Sequence, residues 1–169
     1  MKIDEQKCKH RTLSLFGDEP VEQKPVKTTG KAEIFFDGGC LGNRVATGQK
    51  YGSFQVFLDG KQIANGNRVD FGLGSNNEAE WNALQMALDE LKGFFTKNNR
   101  DPRQSELFVE TDSTIVRNRL MVRNKILKKD PRSAVMFELA NKCLEVMRQF
   151  GRFEVIWKGR DNNVQRFGH

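Results

Sequence analysis

The sequence of 169 residues has few cysteines, few prolines and no long apolar run. Its three cysteines, Cys8, Cys40 and Cys143, are too scattered to indicate a zinc site or a disulfide framework. No segment approaches the roughly 18 consecutive apolar residues of a membrane span, and the polar start lacks the apolar core of a signal peptide. These absences argue against a membrane or secreted protein, so we expect a cytoplasmic one.

Residues 1–30 differ from the rest of the chain in composition. They contain two of the four prolines, with six basic and five acidic side chains and one small apolar cluster. Such a composition predicts a flexible tail, and the length of residues 31–169 suits one domain. This domain carries most of the formal net charge of +6. That excess is compatible with nucleic-acid binding, with an anionic membrane surface and with solubility alone.

The patterning of residues 31–169 predicts an α/β fold with the element order β-β-β-α-β-α-α-β. Asp59-Gly60 is typical of a two-residue hairpin, so we expect antiparallel first strands, whereas the later strand–helix–strand units favour parallel pairing. The expected architecture is a five-stranded mixed sheet flanked by helices. The predicted strands cover residues 32–37, 51–58, 61–69, 106–111 and 153–157, and the predicted helices begin at Ser75 or Asn76, at Ser113 and at Ser133.

Three acidic residues stand where strands end or a helix starts. Asp37 closes the first predicted strand, Asp112 closes the fourth, and Glu80 lies near the start of the long helix. If the two strands are neighbours, Asp37 and Asp112 emerge side by side, and a helix packed across the sheet brings Glu80 to them. Taken singly, each position is also typical of a turn, a helix cap or a solvated first-turn acid.

Carboxylates gathered in this way repel one another unless a cation neutralises them. Oxygen-only ligands suit a hard divalent cation, Mg²⁺ or Mn²⁺. Two such ions about 4 Å apart form a clamp for phosphoryl displacement, one holding the attacking water and the other the leaving 3′ oxygen. The cluster therefore indicates metal-dependent phosphoryl transfer.

The motifs around these acids resemble those of type 1 ribonuclease H. They are Asp37-Gly-Gly-Cys-Leu-Gly-Asn43, Asn76-Asn-Glu-Ala-Glu80 and Thr111-Asp-Ser-Thr-Ile-Val116, in the order expected of that family. The resemblance covers residues 32–163, and the ordered trio is more specific than any one motif. It implies a ribonuclease H-like fold and an endonuclease that cleaves the RNA strand of RNA–DNA hybrids. It also implies two magnesium or manganese ions per site and products with 5′-phosphate and 3′-hydroxyl ends.

The resemblance also assigns roles to individual residues. Asp37, Glu80 and Asp112 match the family's catalytic, metal-binding carboxylates. Contacts with the hybrid, above all with the RNA 2′-hydroxyls by which a protein distinguishes RNA from DNA, are assigned to a larger set of positions. These are Cys40, Asn43, Asn76, Asn77, Thr114, Arg160 and Asn163.

The fourth catalytic position departs from the family's pattern. That pattern places an aspartate four residues after Asn163, where this sequence has Phe167. We expect His169 to replace the missing acid as a catalytic metal ligand. The alternatives are Asp161 turned inward from the loop and a site of three carboxylates. Because imidazole nitrogen suits manganese better than magnesium, a histidine ligand predicts higher activity with manganese.

Two further segments suggest partners. Residues 117–132 contain seven basic side chains and one acidic one, which form either a solvated surface or a grip on the phosphates of the DNA strand. The tail contains Thr12-Leu-Ser-Leu-Phe16, which resembles the peptide by which bacterial replication and repair proteins dock on the sliding clamp. Leu13, Leu15 and Phe16 are therefore expected either to bind that clamp or to fold back onto the domain.

A monomeric ribonuclease H is the function that the sequence favours, and two alternatives stay open. A DNA nuclease or junction resolvase of the same fold is disfavoured by Cys40 and by Asn76-Asn77, which match the hybrid-reading positions. A non-catalytic hybrid-binding module is disfavoured by Asp37, Glu80 and Asp112, because a repulsive acid cluster gives a mere binder no advantage.

Overall fold

The computed structural model describes residues 29–42, 48–122 and 131–168, in which a five-stranded mixed sheet is flanked by helices. All but the last two residues of the predicted tail lie outside these ranges. No helix within them is both long and apolar enough to cross a membrane. The strands β1 to β5 are Gly30–Leu41, Gly48–Leu58, Lys61–Gly74, Ser105–Thr111 and Arg152–Trp157, and the helices α1 to α4 are Asn76–Lys97, Thr114–Val122, Pro131–Met147 and Arg160–Phe167.

The strands are ordered β3-β2-β1-β4-β5 across the sheet. β1 is antiparallel to β2, and β2 to β3. Asp59 and Gly60 join β2 to β3 with φ angles of 53° and 77°, as a hairpin turn that follows the twist of its strands requires. β1 is parallel to β4, and β4 to β5. The predicted mixed sheet is confirmed, and the first and fourth strands are neighbours in it.

The first strand is longer than predicted. It does not end at Asp37 but continues to Leu41, because the two glycines after Asp37 stay paired with β2. A Cβ atom on Gly38 would lie 2.2 Å from the backbone nitrogen of Glu80. Glycine at this position therefore permits close packing of α1 on β1 and does not mark a turn.

The core lies between one face of the sheet and helices α1 and α3. Helix α1 carries apolar residues at helical spacing, and Leu84, Leu88, Leu91 and Phe95 of this stripe are all buried. They belong to one cluster with Ile34 and other inward-facing residues of β1. Because alternate strand residues point to opposite faces, this packing fixes which residues of β1 face away from α1.

The last helix, α4, has no counterpart in the predicted element order. Asn163 donates from Nδ2 to the backbone oxygen of Phe36 at 3.5 Å. The Arg166 guanidinium lies 3.5 Å from the centre of the Phe35 ring. Phe35 and Asp37 share the face of β1 opposite Gly38 and α1, so α4 covers the sheet on the side to which Asp37 points.

Candidate active site

Asp37 and Asp112 stand at matching places on neighbouring parallel strands. The register pairs Phe35 of β1 with Glu110 of β4, and the chain reaches Asp37 and Asp112 two residues further along each strand. Both acids are half-buried. The pairing therefore places them side by side, at the point where β1 continues with β2 and β4 ends.

Glu80 joins the two aspartates from α1. Its backbone nitrogen approaches β1 at Gly38, the neighbour of Asp37. The pKa of Glu80 is raised to about 7, first by burial and then by the negative charges of Asp112 and Asp37, against a lowering hydrogen bond with Ser113. Carboxylates affect one another in this way only at short range, so the three residues form one acid cluster.

The turn that carries Asp112 is fixed by its two neighbours. Thr111 Oγ1 accepts a hydrogen bond from the Ser113 backbone N–H at 3.0 Å. Ser113 Oγ in turn accepts from the Val116 N–H at 3.3 Å, so Ser113 caps the N-terminus of α2. The Asp112 carboxylate does not serve as this cap, although an aspartate just before a helix commonly does.

The acid cluster suits a divalent cation in its chemistry. Its donors are carboxylate oxygens, which Mg²⁺ and Mn²⁺ prefer. The Oε2 atom of Glu80 is buried and makes no hydrogen bond, a costly arrangement that a cation would relieve. Within the described ranges, however, no three His, Cys, Asp or Glu side chains are already arranged to hold an ion. Asp37, Glu80 and Asp112 are thus the residues that could bind a metal, with their side chains adjusting to it.

Three of the predicted hybrid-binding residues lie at one end of the antiparallel strands. Cys40 donates from Sγ to the backbone oxygen of Gly74 at 3.2 Å. Gly74 precedes Ser75, which caps α1 through a capping box and so places Asn76 and Asn77 in the first helical turn. The Oδ1 atom of Asn76 is buried without a hydrogen-bond partner.

The remaining described candidates occupy α2 and α4. Thr114 is exposed at the start of α2, and Arg160 and Asp161 are exposed in the first turn of α4. Asn163 is instead buried, and its amide is bonded to Phe36 beside Asp37. This anchoring of α4 is a role that the sequence did not suggest for Asn163.

Several predicted residues cannot be placed, because they lie outside the described ranges. They are His169, a candidate metal ligand, and Asn43, a candidate hybrid contact. The clamp motif of Leu13, Leu15 and Phe16 and the middle of the basic segment, residues 123–130, also lie outside.

Solved structures with the same architecture are known. The N-terminal RNase H domain of Rv2228c from Mycobacterium tuberculosis is 26% identical, with 81% of this chain and 95% of that chain covered and a TM-score of 0.62. RNase H1 from the archaeon Halobacterium salinarum is 22% identical, with coverages of 79% and 89% and a TM-score of 0.59. LC11-RNase H1, isolated from compost, is 23% identical, with coverages of 80% and 89% and a TM-score of 0.62, and it has also been solved in complex with an RNA/DNA hybrid.

The chain has the ribonuclease H-like fold. No known protein-family profile and no curated protein sequence matches it. The structural match nevertheless spans about four-fifths of the chain. The fold class predicted from the three motifs is therefore confirmed.

Within this ribonuclease H-like fold, three residues to which the sequence assigned no role lie beside the acid cluster. Lys158 Nζ lies 2.7 Å from Glu110 Oε2, and Trp157 donates from Nε1 to the backbone oxygen of Asp112 at 3.1 Å. The available signal was the spacing of Glu110, two residues before Asp112 in a strand, which puts both side chains on one face. Nothing in the sequence showed that the end of β5 meets them.

Proposed function

We propose that the protein is an endonuclease that hydrolyses the RNA strand of RNA–DNA hybrids with the help of divalent metal ions. The observation that carries the proposal is the acid cluster of Asp37, Glu80 and Asp112 on a ribonuclease H-like fold. Perturbed carboxylates of this kind gather at functional sites, because a purely structural role gains nothing from their repulsion. LC11-RNase H1, which shares the fold, binds an RNA/DNA hybrid in its solved complex.

The acid cluster would hold magnesium or manganese, with two ions per site in our proposal. Bound ions would supply Lewis-acid stabilisation of the reacting phosphate and an activated water. The protein's own residues position the carboxylates: Ser113 hydrogen-bonds Glu80, and Asn163 anchors α4 beside Asp37. The expected products carry 5′-phosphate and 3′-hydroxyl ends.

Recognition of the RNA strand would rest on the end of the sheet where Cys40 meets the start of α1. The buried Oδ1 of Asn76 has no hydrogen-bond donor, and a ribose 2′-hydroxyl is a donor that DNA lacks. A hydrogen bond from such a hydroxyl would require the Asn76 side chain to turn outward, because its Oδ1 atom is buried. The proposed contacts are Cys40, Asn43, Asn76, Asn77, Thr114 and Arg160, whereas Asn163 is buried and anchors α4.

A cleavage assay tests the proposal. The protein is incubated with labelled RNA–DNA hybrid, duplex DNA and a four-way junction, in magnesium and in manganese. We expect cleavage of the RNA strand of the hybrid alone, and a loss of at least about 100-fold in rate for Asp37→Asn and Glu80→Gln, which lack a charged metal ligand. Glu90→Gln is the matched control, because Glu90 is exposed on the same helix as Glu80.

The other outcomes identify the alternatives. Cleavage of the junction alone would leave a DNA nuclease or resolvase, and hybrid binding without cleavage would leave a binding module. An equal loss of cleavage rate in Glu90→Gln and Glu80→Gln would show that the activity does not depend on the acid cluster.

We further propose His169 as the fourth ligand, with Asp161 and a three-carboxylate site as the alternatives. A histidine ligand favours manganese, so cleavage should be faster with manganese, and His169→Ala should remove that advantage. Asp161→Asn should leave it intact, because Asp161 is exposed in the first turn of α4. Equal or slower cleavage with manganese would count against a histidine ligand.

We also propose that the tail binds a sliding clamp through Leu13, Leu15 and Phe16. A short apolar motif on a polar arm suits recognition in a groove. Changing Leu15 and Phe16 to alanine should abolish association with a bacterial clamp in a pull-down with purified proteins. Unchanged association would remove this partner from the proposal.

A further inference from the structure

The end of β5 is bonded to the turn that carries Asp112. Trp157 is the last residue of β5 and pairs in register with Thr111. Its ring N–H donates to the Asp112 backbone oxygen at 3.1 Å, and the next residue, Lys158, donates its backbone N–H to the Thr111 oxygen at 3.0 Å. The carbonyl groups of two consecutive residues, Thr111 and Asp112, are therefore held by the last residue of β5 and by the residue that follows it.

An ion pair adds a third connection between the same segments. Lys158 Nζ lies 2.7 Å from Oε2 of Glu110, whose side chain is only 8% exposed, whereas that of Lys158 is 50% exposed. A carboxylate so buried needs a partner, and Lys158 supplies it. The ammonium thus fixes the strand one residue before Thr111 and two before Asp112.

The same turn reaches the acid cluster from its other side. The Ser113 side chain hydrogen-bonds that of Glu80 and caps α2 through the Val116 N–H. Displacement of the turn would therefore move Asp112 directly and Glu80 through Ser113. Two of the three clustered acids depend on its position.

The Trp157 ring is not held in the core. It is 48% exposed, although its N–H is bonded to the turn. Burial of apolar area therefore explains only part of the contribution of Trp157 to the structure. Its hydrogen bond to the Asp112 backbone is a directed contact, which apolar burial is not. This hydrogen bond joins β5 directly to the backbone of Asp112, a member of the acid cluster.

We propose that Trp157 and Lys158 are positioning residues, which hold the Asp112 turn so that Asp112 and Glu80 are aligned for a metal and for the hybrid. The inference rests on the proposed function for its effect on cleavage, but the connection itself is independent of activity. Sub-ångström placement of catalytic groups has large effects on rate, so a bond that acts only through another residue's backbone can still be detected in turnover.

The test compares Trp157→Phe, Lys158→Met and Lys158→Arg with the wild type. Phenylalanine keeps an aromatic ring but removes the N–H donor, and arginine keeps the charge that methionine removes. Arg152→Gln is the control, because it breaks the exposed pair of Arg152 with Glu154 elsewhere on β5. The readouts are amide hydrogen exchange, Mn²⁺ affinity by calorimetry, thermal unfolding, and kcat and KM on a hybrid.

We expect Trp157→Phe and Lys158→Met to speed exchange at the Ser113 and Val116 amides, with exchange in α1 unchanged. Mn²⁺ affinity and kcat should each fall about twofold to tenfold, the range set by the loss of one hydrogen bond, with KM within about twofold because uniform binding is retained. Lys158→Arg should recover most of the loss, and Arg152→Gln should resemble the wild type.

Three results would overturn the inference. Unchanged exchange at Ser113 and Val116 in both variants would show that β5 does not hold the turn. A raised KM with unchanged kcat would make Trp157 a hybrid contact instead. Losses that merely follow the unfolding temperature, as in a general destabilisation, would make both residues structural. If the wild type neither binds Mn²⁺ nor cleaves a hybrid, the proposed function fails, and the exchange arm still decides whether the turn is held.

Discussion

Glu80 is a buried carboxylate whose charged form is disfavoured in the folded protein. Its pKa of about 7 lies above the ordinary value of 4.5, so between these values the folded state holds a proton that the unfolded chain has released. Without metal, stability should therefore be lost as the pH rises through this window. We expect Glu80→Gln to be more stable than the wild type by up to about 3 kcal/mol at pH 8 and nearly equal to it at pH 4.

Urea unfolding at pH 4 and pH 8 with a chelator measures this difference. Glu90→Gln, on the same helix and exposed, should show no comparable dependence on pH. Addition of Mn²⁺ should stabilise the wild type and leave Glu80→Gln almost unaffected, because ligand binding stabilises only the state that binds. A Glu80→Gln protein that is less stable at pH 8 would contradict the raised pKa.

Alanine substitution should have opposite effects on stability at two glycines, Gly38 in β1 and Gly93 in α1. A Cβ at Gly38 would lie 2.2 Å from Glu80 N, whereas a Cβ at Gly93 meets nothing within 4 Å. Gly38→Ala should therefore lose about 1–3 kcal/mol through overpacking, and Gly93→Ala should gain about 0.5–1 kcal/mol of helix propensity. Chemical unfolding checks both, and a stabilising Gly38→Ala would disprove the close approach of α1 to β1.

At the residue scale, the acids were predictable and their surroundings were not. Asp37, Glu80 and Asp112 stand in ordered motifs, and their charge makes them conspicuous. The role of Gly38 was not predictable, because its requirement for no side chain arises only when α1 packs on β1. Glu110 gave no signal of its own, since its burial depends on Lys158, which is 48 positions away in the sequence.

At the element scale, the sheet was predictable because local sequence signals determine much of its structure. Asp59-Gly60 specifies the hairpin, and the apolar stripe of α1 specifies which face is buried. The extension of β1 to Leu41 was not predictable, since two consecutive glycines are typical of a turn and only pairing with β2 keeps them extended.

Helix α4 illustrates an element formed by tertiary contacts. It has no apolar stripe, and Val164 in its middle is 44% exposed. Its contacts include those of Asn163 with Phe36, and of Arg166 with the Phe35 ring and with Gln55 Oε1 at 3.1 Å. The available local signal was a glycine at its end, residue 168, with a φ of 77°, which is typical of a helix C-terminus.

Asn163→Ala should therefore weaken the docking of α4. Loss of the buried hydrogen bond to the Phe36 carbonyl should cost about 1–2 kcal/mol of stability and should speed amide exchange throughout α4. Gln165→Ala is the control, because Gln165 is exposed on the same helix. Equal stability of the two variants would show that the Asn163 hydrogen bond contributes nothing to the docking of α4.

For the whole molecule, the formal charge of +6 matters through its distribution. If the exposed Arg117 on α2 contacts a phosphate, hybrid affinity should fall with rising salt, and Arg117→Gln should reduce the slope of log K against log salt by about 0.9. Lys61→Gln is the matched control, because Lys61 lies at the hairpin, at the opposite end of the sheet from the acid cluster. Fluorescence anisotropy at several salt concentrations measures the slopes, and equal slopes would remove Arg117 from the interface.

The two open edges of the sheet are poorly suited to strand addition. β3 shifts its register against β2 three times and has positive φ angles of 48° at Arg68 and 72° at Gly72. β5 has only six residues and carries the charged pair Arg152 and Glu154. Irregular or short, charged edges hinder pairing with another chain. Copies of this protein should therefore resist polymerising edge to edge, even at high concentration.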